Sequence, residues 1–200
     1  MKTSLVLIAS IVLLFGCGGS GSNTNNNENV ADSATLNDAD NTMGNDGNNT
    51  MNNNTWDQDK IKEFVDKAAL GGLKEVQLGK IAQKKALSQQ VRDYGKMMEK
   101  DHGDANSKFK PVLQALGYSA PTTLDKDHQD VIDRLNKFAG NEFDKKYMSE
   151  MVDDHQSDVN EFEDAQKNLP AGELKTWVDN TLPVLRNHLQ QAKSLNDQLK

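Results

Sequence analysis

The chain has a single cysteine, Cys17, among 200 residues. No intrachain disulfide can form, so whatever holds the fold together is packing. There is no long apolar run either. The greasiest stretch, Leu5 to Phe15, is about 11 residues, whereas a helix crossing a bilayer needs roughly 20. Basic excess is also missing: 23 Lys and Arg stand against 30 Asp and Glu, a net charge of −7. A nucleic-acid partner is therefore not expected, because phosphate binding needs clustered positive charge. No serine elbow, catalytic cysteine or glycine-rich phosphate loop is present, which leaves a hydrolase as a poor reading; Gly71 and Gly72 fall inside a helical pattern and read as a packing contact.

What is present begins with an exported leader. One Lys precedes the short apolar core, the arrangement of a secretory signal. Leu14-Phe15-Gly16-Cys17 resembles the lipobox of bacterial lipoproteins, so residues 1–16 are expected to be removed and Cys17 to carry lipid. Fatty acyl chains of the palmitate kind, each contributing ~0.8 kcal/mol per buried CH2, would make a durable membrane anchor. Gly18-Gly19-Ser20 follows, without the Asp that retains lipoproteins at an inner membrane. The expected address is the cell envelope, at an outer membrane and facing the periplasm.

Residues 17–55 read as a disordered tether. Thirteen of the 32 residues from Asn23 to Asn54 are Asn and none is aromatic, so the segment cannot bury enough apolar surface to offset its ordering entropy. Random-coil scaling gives it a reach of roughly 35 Å. Residues 56–200 form the domain, large enough for one good core.

From Thr55 onward the apolar period is helical, with no credible strand. Thr55 and Gln58 have capping-box spacing. Helices are expected over 57–86, 89–116 with Ser88 as cap, 123–139, 142–168 with Asn141 as cap, and 173–199. Pro111 and Pro183 fall within the second and fifth of these and should bend them. The fold class is all-α: an antiparallel helical bundle of four long or short helices plus a fifth C-terminal helix. A shift of 53 residues aligns Tyr94, Met98, Asp101, His102 and Phe109 with Tyr147, Met151, Asp154, His155 and Phe162. The shared pattern suggests a duplicated helical hairpin, in which Glu75 falls opposite His128 and the fifth helix packs on the bundle or completes it.

Rotation by 100° per residue places His102, His128, His155 and His188 within the apolar stripes of their helices, and Glu75 on a narrow stripe rich in small residues. Counted from the turns, all five lie ~18 to 24 Å along a bundle roughly 40 Å long, so they are expected in one layer. Two readings stay open. One is a metal site with Glu75, His102, His155 and His188 as ligands and His128 and Asp158 as additions; imidazole with carboxylate suits iron, manganese or zinc. The other is a buried polar network that fixes helix register. Met98 and Met151, one turn from His102 and His155, would suit copper(I) as ligands or fill core gaps. Asp101 and Asp154 are candidates to hydrogen-bond a histidine of an adjacent helix, or are solvated flank charges. Glu99 precedes His102 by three, the spacing of a di-iron ligand pair, but His155 and His188 have no such partner.

Gly71-Gly72-Leu73-Lys74-Glu75-Val76-Gln77-Leu78-Gly79, Met97-Met98-Glu99-Lys100-Asp101-His102, Phe143-Asp144-Lys145-Lys146-Tyr147 with Met151 and Asp154-His155, and Leu182-Pro183-Val184-Leu185-Arg186-Asn187-His188-Leu189 together resemble the bacterial family called domain of unknown function 4142. The resemblance covers about residues 59–196 and implies a ferritin-like helical fold, without implying an activity. Two functions from different classes follow. One is an envelope lipoprotein with a metal in its bundle core, redox-active or stress-related. The other is a non-enzymatic tethered module that binds another envelope protein.

Overall fold

The computed structural model describes residues 56–200; the expected leader, Cys17 and the tether lie outside the described residues. The period-3.6 pattern resolves into five helices: α1 Gln58–Lys85, α2 Gln89–Ala115, α3 Lys126–Leu135, α4 Gly140–Asn168 and α5 Glu173–Gln198. Among the described residues there is no strand, only an isolated bridge between Ala86 and Gly140. No helix among them is long and apolar enough to cross a membrane.

Local chemistry sets the ends. Asp57, rather than Thr55, caps α1, its carboxylate accepting the Lys60 N–H at 2.8 Å. Thr55 itself lies outside the described residues. α2 closes on Gly117 at φ 80°, where the Tyr118 N–H reaches Leu113 O at 2.8 Å and the Gly117 N–H reaches Gln114 O at 3.0 Å. That pair of bonds is the Schellman closure, which needs the left-handed conformation glycine tolerates. Ser88 begins α2 but its side chain makes no capping bond. Instead Asp144, reaching over from α4, accepts the N–H groups of Leu87 and Ser88 at 3.0 and 2.7 Å.

α3 is shorter than the sequence pattern predicts. Asp125 caps it, accepting the His128 N–H at 3.0 Å, and it ends at Leu135. The helix therefore starts three residues after the expected 123 and stops before 139. With only 10 residues it does not serve as the second long member of a hairpin.

The four long helices close a ring. α1 packs along α2 and α4 along α5, while α2 also lies against α5 and α1 against α4. α2 and α4 thus face each other across the diagonal, and α5 completes the bundle as α4's hairpin partner. The segment from Gly117 to Ala139, with α3 inside it against α1 and α4, is the crossover that returns the chain to the start of α4 beside Ala86.

This arrangement gives the 53-residue repeat a physical meaning. Tyr94 and Tyr147 meet with ring centroids 6.3 Å apart, and His102 and His155 at 5.5 Å. Phe109 and Phe162 both contact Trp177, at 3.8 and 5.4 Å. Equivalent residues meet in the same order along both helices, so α2 and α4 run parallel.

The apolar core is in two blocks. One holds Phe64, Phe109, Phe162, Trp177 and Leu182. The other holds Leu78, Met98, Phe143, Tyr147 and Met151. Each fully buried large side chain contributes about 1.5–3 kcal/mol, so both ends of the bundle clamp the polar layer that falls between them. α1 and α2 approach closely at glycines. A Cβ on Gly79 would stand 2.5 Å from Gly95 O, and one on Gly72 would stand 2.3 Å from Asn106 Oδ1. This contact holds Glu75, between those two glycines on α1, against α2.

Candidate metal centre

His102 comes from the middle of α2, His155 from α4 and His188 from α5; they are 6 %, 0 % and 1 % exposed. Their ring centroids are 5.2 to 5.5 Å apart. One ring nitrogen of each lies within 4.8 Å of the other two, so the three form a group that could hold a metal ion.

Each imidazole is anchored through one nitrogen. His102 Nδ1 is 2.9 Å from Glu75 Oε2, His155 Nδ1 is 2.9 Å from Met151 O, and His188 Nε2 is 3.2 Å from Asp101 Oδ2. A carbonyl or ionised carboxylate only accepts, so each of those nitrogens carries the proton. The remaining nitrogens, His102 Nε2, His155 Nε2 and His188 Nδ1, are buried with no hydrogen-bond partner. Leaving a buried polar atom unmatched costs about 1–3 kcal/mol. Three such atoms on one group of close rings fit the pattern of metal ligands held by outer hydrogen bonds.

The electrostatics favour neutral rings at His155 and His188. Burial pushes the His155 imidazole down to about 4, helped by the other two rings and opposed by Glu75. Burial also lowers His188, and His102 adds to the effect while Asp101 opposes it. A neutral imidazole is the form that donates a lone pair to a metal. Glu75 is 2 % exposed. Burial works against its ionisation, yet His102, His155 and Lys74 together hold it below the usual carboxylate range. Its second oxygen, Oε1, has no hydrogen-bond partner and is 3.5 Å from His155 Nδ1. Burial pushes Asp101 upward, but its bonds to His188 and Lys100 outweigh that and hold it ionised.

The structure separates the remaining candidates. Asp158 is half-buried and lines a small cavity with Glu75 and His102; burial, with Glu75 and Asp154 nearby, raises its pKa well above the usual range. Asp154 turns to α1 rather than to a histidine, and its Oδ1 is 2.9 Å from Lys74 Nζ. Burial pushes Asp154 up to about 6 despite that pairing. Glu99 lies on the outer side of α2, where it accepts from Gln83 Nε2 at 2.7 Å and lies 3.9 Å from Lys80. It is not brought to the histidines, so the spacing of a di-iron pair on α2 has no counterpart in space.

His128 is also outside the layer. Because Asp125 starts α3 so late, His128 sits in its first turn, half-buried, with Nδ1 2.6 Å from Asp125 Oδ1. The expected layer of five is thus four: Glu75, His102, His155 and His188. Met98 and Met151 are fully buried within the aromatic block, where they fill the core.

Sequence reasoning missed two features of the site. Lys74 is 8 % exposed and bridges α1 to α4 through Asp154. Its pattern position is only a stripe edge, and a buried lysine shows itself only once its partner is known. The carbonyl of Met151 orients His155, and no sequence pattern marks a backbone acceptor.

The family model for the domain of unknown function (DUF4142) matches residues 47–195, and the chain belongs to that family. No curated protein and no solved structure matches it.

Proposed function

We propose that the domain binds one transition-metal ion in its core through His102, His155 and His188, and that it works at a cell envelope, tethered by lipid on Cys17. The observation that carries the metal reading is the group of three close imidazoles, each with one buried, partnerless ring nitrogen. A polar network that only fixed register would be expected to satisfy its own members. Three imidazoles with a carboxylate at the edge suit zinc, iron or copper, with manganese favoured only if Glu75 itself ligates. Three protein ligands leave a coordination position free, the arrangement of a reactive site rather than a closed structural one. Glu75 and Asp101 would orient His102 and His188 by accepting their outer N–H protons. The single long crossover between two antiparallel hairpins is also the connection of ferritin-like bundles, and supports a metal-handling role in redox or stress chemistry. With Glu99 turned away, one metal rather than a di-iron pair is the reading the side chains support.

The test is elemental analysis of the purified protein after growth and after reconstitution with iron, manganese, zinc or copper. One metal per chain in the wild type, lost in His102→Ala and His155→Ala, is the expected result. Absence of every metal leaves the register network as the role of the layer and a partner-binding module as the function. The anchor rests on Leu14 to Cys17 and the lone cysteine. Labelling of the wild type with radioactive palmitate, absent from Cys17→Ser, is the expected outcome there; an unlabelled wild type removes the anchor.

A further inference from the structure

We infer that the groove between α2 and α5 admits an external ligand of two or three heavy atoms, dioxygen- or azide-sized, to the free position of the metal. The inference rests on the metal reading above and says what the site is for. The groove has a volume of about 1160 Å³, and both His102 and His188 lie on its wall. Asp101, whose carboxylate holds His188, lies there too and is partly exposed, so the groove reaches from solvent to the outer edge of the site. A buried structural metal needs no such opening.

Beside the groove is a narrow, partly open cleft of about 30 Å³, lined by Glu75, His102, Asn106 and Asp158. The two spaces share His102, Ala105, Trp177, Thr181 and Leu185 in their walls, so they adjoin at these side chains. About 10–15 Å³ admits one water, so the cleft takes one or two waters or a small molecule and is too narrow for an aromatic ring. Its wall sets the polar groups of Glu75, His102, Asn106 and Asp158 among Phe162, Trp177 and Leu185 of the first apolar block. Glu75 Oε1 is buried without a hydrogen-bond partner at this wall. The groove, with His102 and His188 on its wall, gives the ligand its path, and the narrow cleft beside His102 limits its size.

The experiment loads the full chain with cobalt(II) or copper(II) and follows the visible spectrum during titration with azide, and separately with 4-phenylimidazole. Azide is expected to shift the spectrum saturably and 4-phenylimidazole to leave it unchanged. Thr181→Phe, where the two spaces adjoin, and Val184→Trp, at the mouth where Val184 is 39 % exposed, should keep one metal per chain and slow azide association at least tenfold. Val184→Trp lies at the surface and carries the test if Thr181→Phe does not fold. A metal-loaded wild type indifferent to azide, equal association rates in wild type and Val184→Trp, or an equal response to 4-phenylimidazole would each overturn the inference while the metal site stands. Failure of the wild type to bind metal would remove both.

Discussion

His155 Nδ1 lies 2.9 Å from the carbonyl oxygen of Met151, one turn earlier on α4. That bond fixes the proton on Nδ1 and points Nε2, with its lone pair, into the layer between the two apolar blocks. The ring is fully buried and stays neutral down to about pH 4. In the unfolded chain it takes up a proton near pH 6.5.

A pH dependence follows for the metal-free protein. Between pH 6.5 and about 4 the unfolded state binds more protons at this site than the folded state. Stability contributed by His155 is therefore complete above pH 6.5 and is lost as pH falls through that window, at up to about 1.4 kcal/mol per pH unit. Asp154, raised to about 6, runs the other way and loses stability as pH rises toward 6, so the wild-type curve alone mixes the two. The difference between wild type and His155→Phe, from urea melts at each pH, isolates the histidine. Wild type should lose stability relative to the variant from pH 6.5 downward, and a flat difference would show that the ring is solvated.

A second substitution at His155 separates a metal site from a register network. His155→Leu replaces a buried ring with a partnerless nitrogen by an apolar side chain. Exchanges of that kind are close to neutral or stabilising when both partners of a polar contact go; here the partner carbonyl keeps its place within α4. The metal-free variant should melt at or above the wild-type temperature. Added metal should then raise the wild-type melting point, by about 2.7 kcal/mol of stability at a hundredfold excess over the dissociation constant, and leave the variant unmoved. Paired melts with and without zinc make the comparison.

Glu75 is expected to tune the proposed metal site through its 2.9 Å contact with His102. Glu75→Gln keeps an oxygen able to accept from His102 Nδ1 but removes the charge that strengthens the ring as a donor. Loss of such an outer partner weakens metal binding about 10–100-fold. Competition with a chelator of known affinity measures it. An unchanged affinity would mean that Glu75 serves only its pairing with the buried polar groups around it.

Much of this was legible in the sequence because helical period and turn residues are local. The inward placement of His102, His155 and His188 followed from 100° rotation alone; the repeat marks residues of α2 and α4 that meet in order, but the duplicated hairpin it suggested does not form, because α4 pairs with α5 and not α3. His128 was misplaced for an equally local reason: Asp125 outcompeted the earlier polar residues as a cap and moved the helix start. The choice of hairpin partner was not legible. It depends on whether α3 is long enough to span the bundle, and once Asp125 and Leu135 bound it at 10 residues, α5 takes that place. The pairing of Lys74 with Asp154 was invisible too, since it joins residues 80 apart across two helices whose register the sequence alone leaves free.

Glycines on α1 should respond in opposite directions to alanine. At Gly79 a Cβ would stand 2.5 Å from Gly95 O and 2.8 Å from Glu99 N, both backbone atoms that move only if the helices part. Gly79→Ala should cost about 1–3 kcal/mol and, by shifting α1 from α2, weaken metal binding as well. At Gly71 nothing lies within 4 Å, and alanine there should stabilise by about 0.5–1 kcal/mol through helix propensity. Urea titration of the two variants gives both signs.

The turn between α1 and α2 supplies the last contrast. Ser88 occupies the cap position but makes no side-chain cap bond, so Ser88→Ala should change stability by less than about 0.5 kcal/mol. Asp144, 1 % exposed and on a different hairpin, accepts the N–H groups of both Leu87 and Ser88. Asp144→Ala strips two N–H groups of their acceptor and opens a small void, at about 1–3 kcal/mol per unmatched group. The same bonds tie the start of α4 to the end of α1, where Ala86 bridges Gly140. Hydrogen exchange at Leu87 and Ser88 should therefore accelerate in Asp144→Ala and stay slow in Ser88→Ala. The reverse order would mean that the serine hydroxyl, and not the carboxylate from across the bundle, closes this turn.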